Sequence, residues 1–151
     1  MDENQDTTVK PTLYILMRSD MKSMNAGKAM AQASHASNAF VHNVFKTRND
    51  QGRQEGYGKY HVQLADEWAL ETDQGFGTVI VLDGFSEVAI RRAVEIAQAT
   101  GLYSEMIHDP SYPVRDGSIT HAIPLDTCAY VFGDRNNEIV KDIVGGFHLH
   151  P

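Results

Sequence analysis

The chain has 151 residues, 42% apolar and 22% charged, enough for one domain to bury its own core. A single cysteine, Cys128, excludes an internal disulfide, and no apolar run approaches the ~20 residues of a membrane-spanning helix. The net charge of −7 argues against a uniformly cationic nucleic-acid binder, but residues 10–60 carry eight Lys and Arg against three Asp and Glu, whereas 61–151 carry five against fourteen. With no signal-peptide pattern at the start, a reducing, cytoplasmic setting is expected.

Met1 to Lys10 is polar and acidic and reads as a flexible tail before a domain over 11–151. Leu13 to Met17 is a short continuous apolar run, the pattern of a buried strand. From Ala26 to Lys46, Ala29, Ala33, Ala36, Phe40 and Val44 recur at steps of three and four, which predicts an amphipathic helix. Thr47 to Gly58 reads as a loop, Tyr60 to Glu71 as a weaker helix with Trp68, and Thr78 to Leu82 as a second buried strand. Ser86 is placed to cap a helix over Val88–Ala99, with Gly101 just past its end. Tyr103 to His108 predicts a third strand, Asp109 to Gly117 a loop with two prolines, and Ile119 to Leu125 and Thr127 to Phe132 further strand material. Asn137 to Val144 reads as a last short helix, followed by an extended close over Phe147–Pro151. Strands alternating with helices predict a single α/β domain, its sheet mixed but mostly parallel and covered by helices on both faces.

In such sheets ligands bind beyond the C-terminal ends of strands. The loop Arg18 to Lys28 follows the first strand and brings Gly27 and Lys28 to a helix N-terminus, where free N–H groups and the helix dipole favour an anion. Lys28, Gln32 and His35 then share one helix face. Asp109 lies just past the third strand and Thr120 near the start of the next; in a parallel arrangement both reach the edge that holds Lys28. An aspartate and a threonine near a lysine can position and deprotonate a water. His148 and His150 lack a third ligand at a recognisable spacing, Cys128 reads as a small buried residue, and His108 and His121 flank the site without a required role.

Arg18-Ser-Asp-Met-Lys22 followed by Gly27-Lys-Ala-Met-Ala-Gln-Ala-Ser-His-Ala36 closely resembles the N-terminal signature of the type 2 peptidyl-tRNA hydrolases. Trp68, the Val79–Leu82 strand, Gly101, Gly117-Ser-Ile-Thr120 and Gly146-Phe-His-Leu149 are similar to further family features, so the likeness spans roughly 12–149. The resemblance implies hydrolysis of the ester between a peptide and the 3′-terminal ribose of tRNA, with no metal or organic cofactor. Carried over, the essential lysine falls on Lys28, the aspartate on Asp109 and the second threonine of the family's Gly-Thr-x-Thr on Thr120. Lys22, Asn25, Gly27, Gln32, His35 and Ser118 are the expected substrate contacts. Peptidyl-tRNA is the expected partner and a membrane is not; a homodimer is left open. Where the family usually follows its aspartate with Ala-Gly-x-Thr-Gln, this chain reads Pro110-Ser-Tyr-Pro-Val114. That change keeps two alternatives in view: a non-catalytic RNA- or protein-binding module on the same fold, and a hydrolase of another acyl or amide bond.

Overall fold

A computed structural model describes residues 8–49 and 57–151; residues 1–7 of the expected tail and 50–56 of the expected loop lie outside the described residues. The elements are β1 (Pro11–Arg18), α1 (Ala26–Asn49), α2 (Tyr57–Ala69), β2 (Val79–Phe85), α3 (Glu87–Ala99), β3 (Tyr103–Asp116), β4 (Ile119–Asp134), α4 (Glu138–Val144) and β5 (His148–Leu149). Residues 8–10 are tied to the body rather than loose. Asn136 Nδ2 donates to Thr8 O at 2.5 Å, and Lys10 N donates to Asp134 Oδ1 at 2.9 Å. Among the described residues no helix is long and apolar enough to cross a membrane.

The strands lie in the order β3-β4-β1-β2-β5. β1 pairs parallel with β2, but β1–β4, β3–β4 and β2–β5 are antiparallel. The sheet is therefore mixed and mostly antiparallel, which corrects the expectation of a mostly parallel one. The cause is local. β3 passes into β4 through Gly117 and Ser118 alone, with Gly117 at φ 61°. That connection is far too short for the crossover a parallel pair needs. β4 therefore folds back between β3 and β1. β1, β2 and β3 still run in one direction, so the end of β3 and the end of β1 share an edge.

A second correction concerns residues 109–117, expected as a loop. β3 continues through them to Asp116. Pro110 and Pro113 are tolerated because β3 is an edge strand, where a missing N–H need not break a ladder. Past Cys128, the partner of Met17, β4 pairs with β3 only, so the far half of the hairpin projects as a two-stranded arm.

Successive β1 residues face opposite cores. Leu13, Ile15 and Met17 join Cys128, Tyr130 and Phe132 under α1 and α2; Tyr14 and Leu16 join Ala129 and Val131 under α3 and α4. The apolar stripe of α1 forms as its periodicity predicts, with Ala29, Ala36, Phe40 and Val44 buried and Ala33 partly so. Phe40 meets Trp68 edge-on at 5.3 Å between ring centroids, and Trp68 Nε1 donates to Thr78 O. Ser86 caps α3, its side chain accepting from Ala89 N, as its position in the sequence suggests.

Candidate active site

The polar loop after β1 ends at Asn25, whose Oδ1 accepts the Lys28 backbone N–H at 3.0 Å. Asn25 therefore caps α1, and the cap fixes where Lys28 leaves the helix. The Lys28 ammonium crosses to β3. It donates to Pro113 O at 2.7 Å and stands 5.3 Å from the centre of the Tyr112 ring, a cation–π distance. An ammonium has three donors. Tyr112 is fully buried, and its hydroxyl shares a hydrogen bond with Ser23 Oγ at 3.1 Å, anchoring the loop to β3.

Two breaks in the β3–β4 register shape the rest. Ile107 pairs with Cys128 and His108 with Asp126, which leaves Thr127 as an extra residue on β4. In this bulge Thr127 and Cys128 both turn toward α1, where strict alternation would send one of them away. Thr127 Oγ1 donates to Gln32 Oε1 at 2.6 Å. With its oxygen so held, the Gln32 amide presents Nε2 to Asp109 Oδ2 at 2.7 Å. Gln32 is 3% exposed and Thr127 is fully buried, so the bond between them is shielded from water, while Asp109 at the end of the chain stays partly exposed. The second break, between Asp109 and Tyr112, lets the Ser111 N–H fold back onto Asp109 Oδ1 at 2.9 Å.

Burial works against ionisation of Asp109. The Gln32 amide, the Ser111 N–H and the charges of His35 and His108 together outweigh it and hold the carboxyl below the ordinary carboxylate range. Asp109 is thus a carboxylate at neutral pH. Lys28 and Asp109 contact different partners rather than each other. Cys128 lies one residue beyond Thr127, and burial pushes its thiol up to about 12, so it stays protonated. On the opposite face His108 Nδ1 meets Asp126 Oδ1 at 2.8 Å and Arg91 donates to Asp126 Oδ2 at 2.6 Å, fastening the root of the arm to α3.

Lys28, Gln32 and His35 lie on one face of α1, and Gln32, expected as a substrate contact, is instead buried and bonded to Asp109 and Thr127. Lys22 and Gly27 lie exposed on the approach. Thr120 is not brought to Asp109. It pairs with Arg115 while Asp109 pairs with Leu125, a separation of about 17 Å along the ladder. Ser118 sits at the turn of the arm, further still. Tyr112 and Thr127 escape a reading of the sequence. Thr127 precedes the buried run Cys128–Phe132 and looks like ordinary strand; a bulge has no composition that announces it.

The apolar groove between α3 and α4, lined by Ile96, Ile139, Ile143 and Phe147, lies on the other side of the sheet and holds none of these groups. Among the described residues no three His, Cys, Asp or Glu side chains are grouped to share a metal ion. No curated protein sequence matches the chain. A family model described as peptidyl-tRNA hydrolase PTH2 matches residues 12–150, which include every residue of the site. The chain therefore belongs to the PTH2 family, hydrolases that act on the ester bond of peptidyl-tRNA.

Proposed function

We propose that the chain cleaves peptidyl-tRNA with Asp109 as the group that orients and deprotonates water and Lys28 as the group that meets the developing oxyanion. The observation that carries this reading is the Thr127–Gln32–Asp109 chain, built on the face of α1 that also bears Lys28. It keeps a carboxylate ionised and fixed in direction, and Lys28, one turn before Gln32 on α1, supplies an ammonium; a base and an oxyanion donor are groups that ester hydrolysis can use. Water attacks the ester carbonyl and gives its proton to Asp109. The tetrahedral oxyanion forms against Lys28, and the ribose oxygen leaves with a proton returned from Asp109. Gln32 acts as a positioning residue and Asn25 as the cap that sets Lys28. His35, Lys22 and Gly27 border the substrate. Thr120 and Ser118, out on the arm, contact the RNA or peptide rather than the attacking water.

The substrate arises in translation, so the cytoplasm is the proposed compartment. A homodimer through the exposed apolar residues Val88, Ile96 and Ile139 of α3 and α4 is the proposed assembly. A monomer mass in sedimentation at high concentration would reject it.

The test is single-turnover release of peptide from an N-acyl-aminoacyl-tRNA by the wild type, Lys28→Ala and Asp109→Ala. Hydrolysis by the wild type that collapses in both variants supports the assignment. A folded wild type that binds the tRNA and releases nothing leaves a non-catalytic binding module. Release from acyl esters without tRNA at equal efficiency leaves another hydrolase.

A further inference from the structure

The substrate is a polymer cleaved at one end; the rest must leave along some surface of a protein whose net charge is −7. The exits differ sharply in charge. In α2 and α4 the acids outnumber the bases by one, Asp66 and Glu67 against Lys59 and Glu138 and Asp142 against Lys141, and in α3 Glu87 and Glu95 are matched by Arg91 and Arg92. The arm offsets Arg115 with Asp116. By contrast α1 has no Asp or Glu in 24 residues.

Its cation-forming side chains are also aligned. At about 100° per residue, Lys28, His35, His42 and Lys46 fall within about 40° of one another on the helix surface. Gln32, bonded to Asp109, and Asn43, bonded to the Tyr130 hydroxyl, lie just inside this stripe, so it runs along the flank of α1 that faces β3. His35, His42 and Lys46 are exposed. Arg48, on the other flank, is engaged by Asp66. The carboxylates that border the stripe from β3 are Asp109, held by Gln32, and Glu105, drawn onto the Tyr130 hydroxyl. From Lys28 to Lys46 the stripe measures about 27 Å.

We infer that this stripe is the track for the sugar-phosphate backbone of the bound RNA, which leaves the cleavage site at Lys28 and follows His35, His42 and Lys46 along α1. The inference rests on the assignment of Lys28 and Asp109 to the cleavage site. Phosphate contacts of this kind position a nucleic acid without reading its bases and weaken as salt rises.

The experiment uses the full chain and the double variant His42→Glu with Lys46→Glu. Lys141→Glu, on α4 across the sheet, serves as the control. Binding of deacylated tRNA is read by fluorescence anisotropy over a salt series. The ratio of kcat/KM on N-acyl-aminoacyl-tRNA to that on the same acyl ester of a CCA trinucleotide is read beside it. The double variant is expected to bind tRNA roughly tenfold more weakly at low salt, with a salt slope reduced by about 1 for each phosphate no longer neutralised, and the kcat/KM ratio falls with it. Lys141→Glu binds as the wild type does. Unchanged tRNA affinity in a folded double variant, or the same loss in Lys141→Glu, overturns the track. If the wild type cleaves neither substrate the hydrolytic reading fails, yet the anisotropy series still decides the track.

Discussion

On the α3–α4 side of the sheet, Leu16, Leu82, Ile90, Val94 and Val131 meet as an apolar layer fed by regular alternation from the strands. On the α1 side the same strands supply Leu13, Ile15 and Met17, but the layer ends at Gln32, Thr127 and Asp109, joined by hydrogen bonds and served by two breaks in the β3–β4 register. Both layers are buried, and they use burial differently. The regular face contributes stability through removed apolar area. The irregular face gives up part of that gain to hold polar groups in set directions, which is worthwhile only where direction matters.

If that contrast is right, changes on the two faces separate. The largest effect belongs to Asp109→Asn, which keeps the shape and removes the proposed base. Single-turnover cleavage should drop by about 10²–10⁴-fold, with a smaller loss of stability of about 1–3 kcal/mol because the one Asn oxygen cannot accept from both Gln32 and Ser111. Ile90→Ala, on the regular face and fully buried, should show the reverse. Its stability in a denaturant titration should fall by about 2–5 kcal/mol while the rate per folded molecule holds. A large rate loss there would blur the distinction between the faces.

Thr127→Val should affect both quantities moderately. It leaves the Gln32 carbonyl oxygen buried without its donor, at a cost of about 1–3 kcal/mol, and it frees the amide to turn, so the rate should fall by roughly tenfold. Thr127→Ser should restore most of both. A pH–rate profile sharpens the point. Because the Asp109 carboxyl is held below its ordinary value, its charged form persists through mild acid, and the acid limb should lie below the ordinary carboxylate range. The stability linked to that depression is present above the unfolded-state value and is lost as pH falls through the folded one. Gln32→Met removes a bond that favours the charge, so the limb should move to higher pH. The smallest effect is expected at Thr120: Thr120→Val should change cleavage of a short ester by less than about threefold, against the larger loss at Thr127.

Much of this is legible in the chain. The run Leu13–Met17, the alanine-lined stripe of α1 and the Ser86 cap follow from periodicity and side-chain chemistry, and the structure forms each. Lys28, Gln32 and His35 share a face because helix geometry leaves no choice. A parallel sheet would put Asp109 at the same edge. It reaches that edge because β3 runs in the direction of β1 even though β4 separates them. What cannot be read is where the hairpin loses register. Pro110 and Pro113 suggest a loop, whereas an edge strand accommodates them. Thr127 reaches Gln32 only because one extra residue rotates it, and that rotation depends on how two distant segments pair.

We propose that Gln32 serves cleavage through Asp109 and by no other route. The proposal is tested by single-turnover rates for the wild type, Gln32→Met, Asp109→Asn and the double variant. The double variant is predicted to be no slower than Asp109→Asn alone, since a positioning residue then has nothing left to position. A double variant slowed by the product of the two single losses would show that the two residues act independently, and would contradict the assignment of Gln32 as the group that holds Asp109.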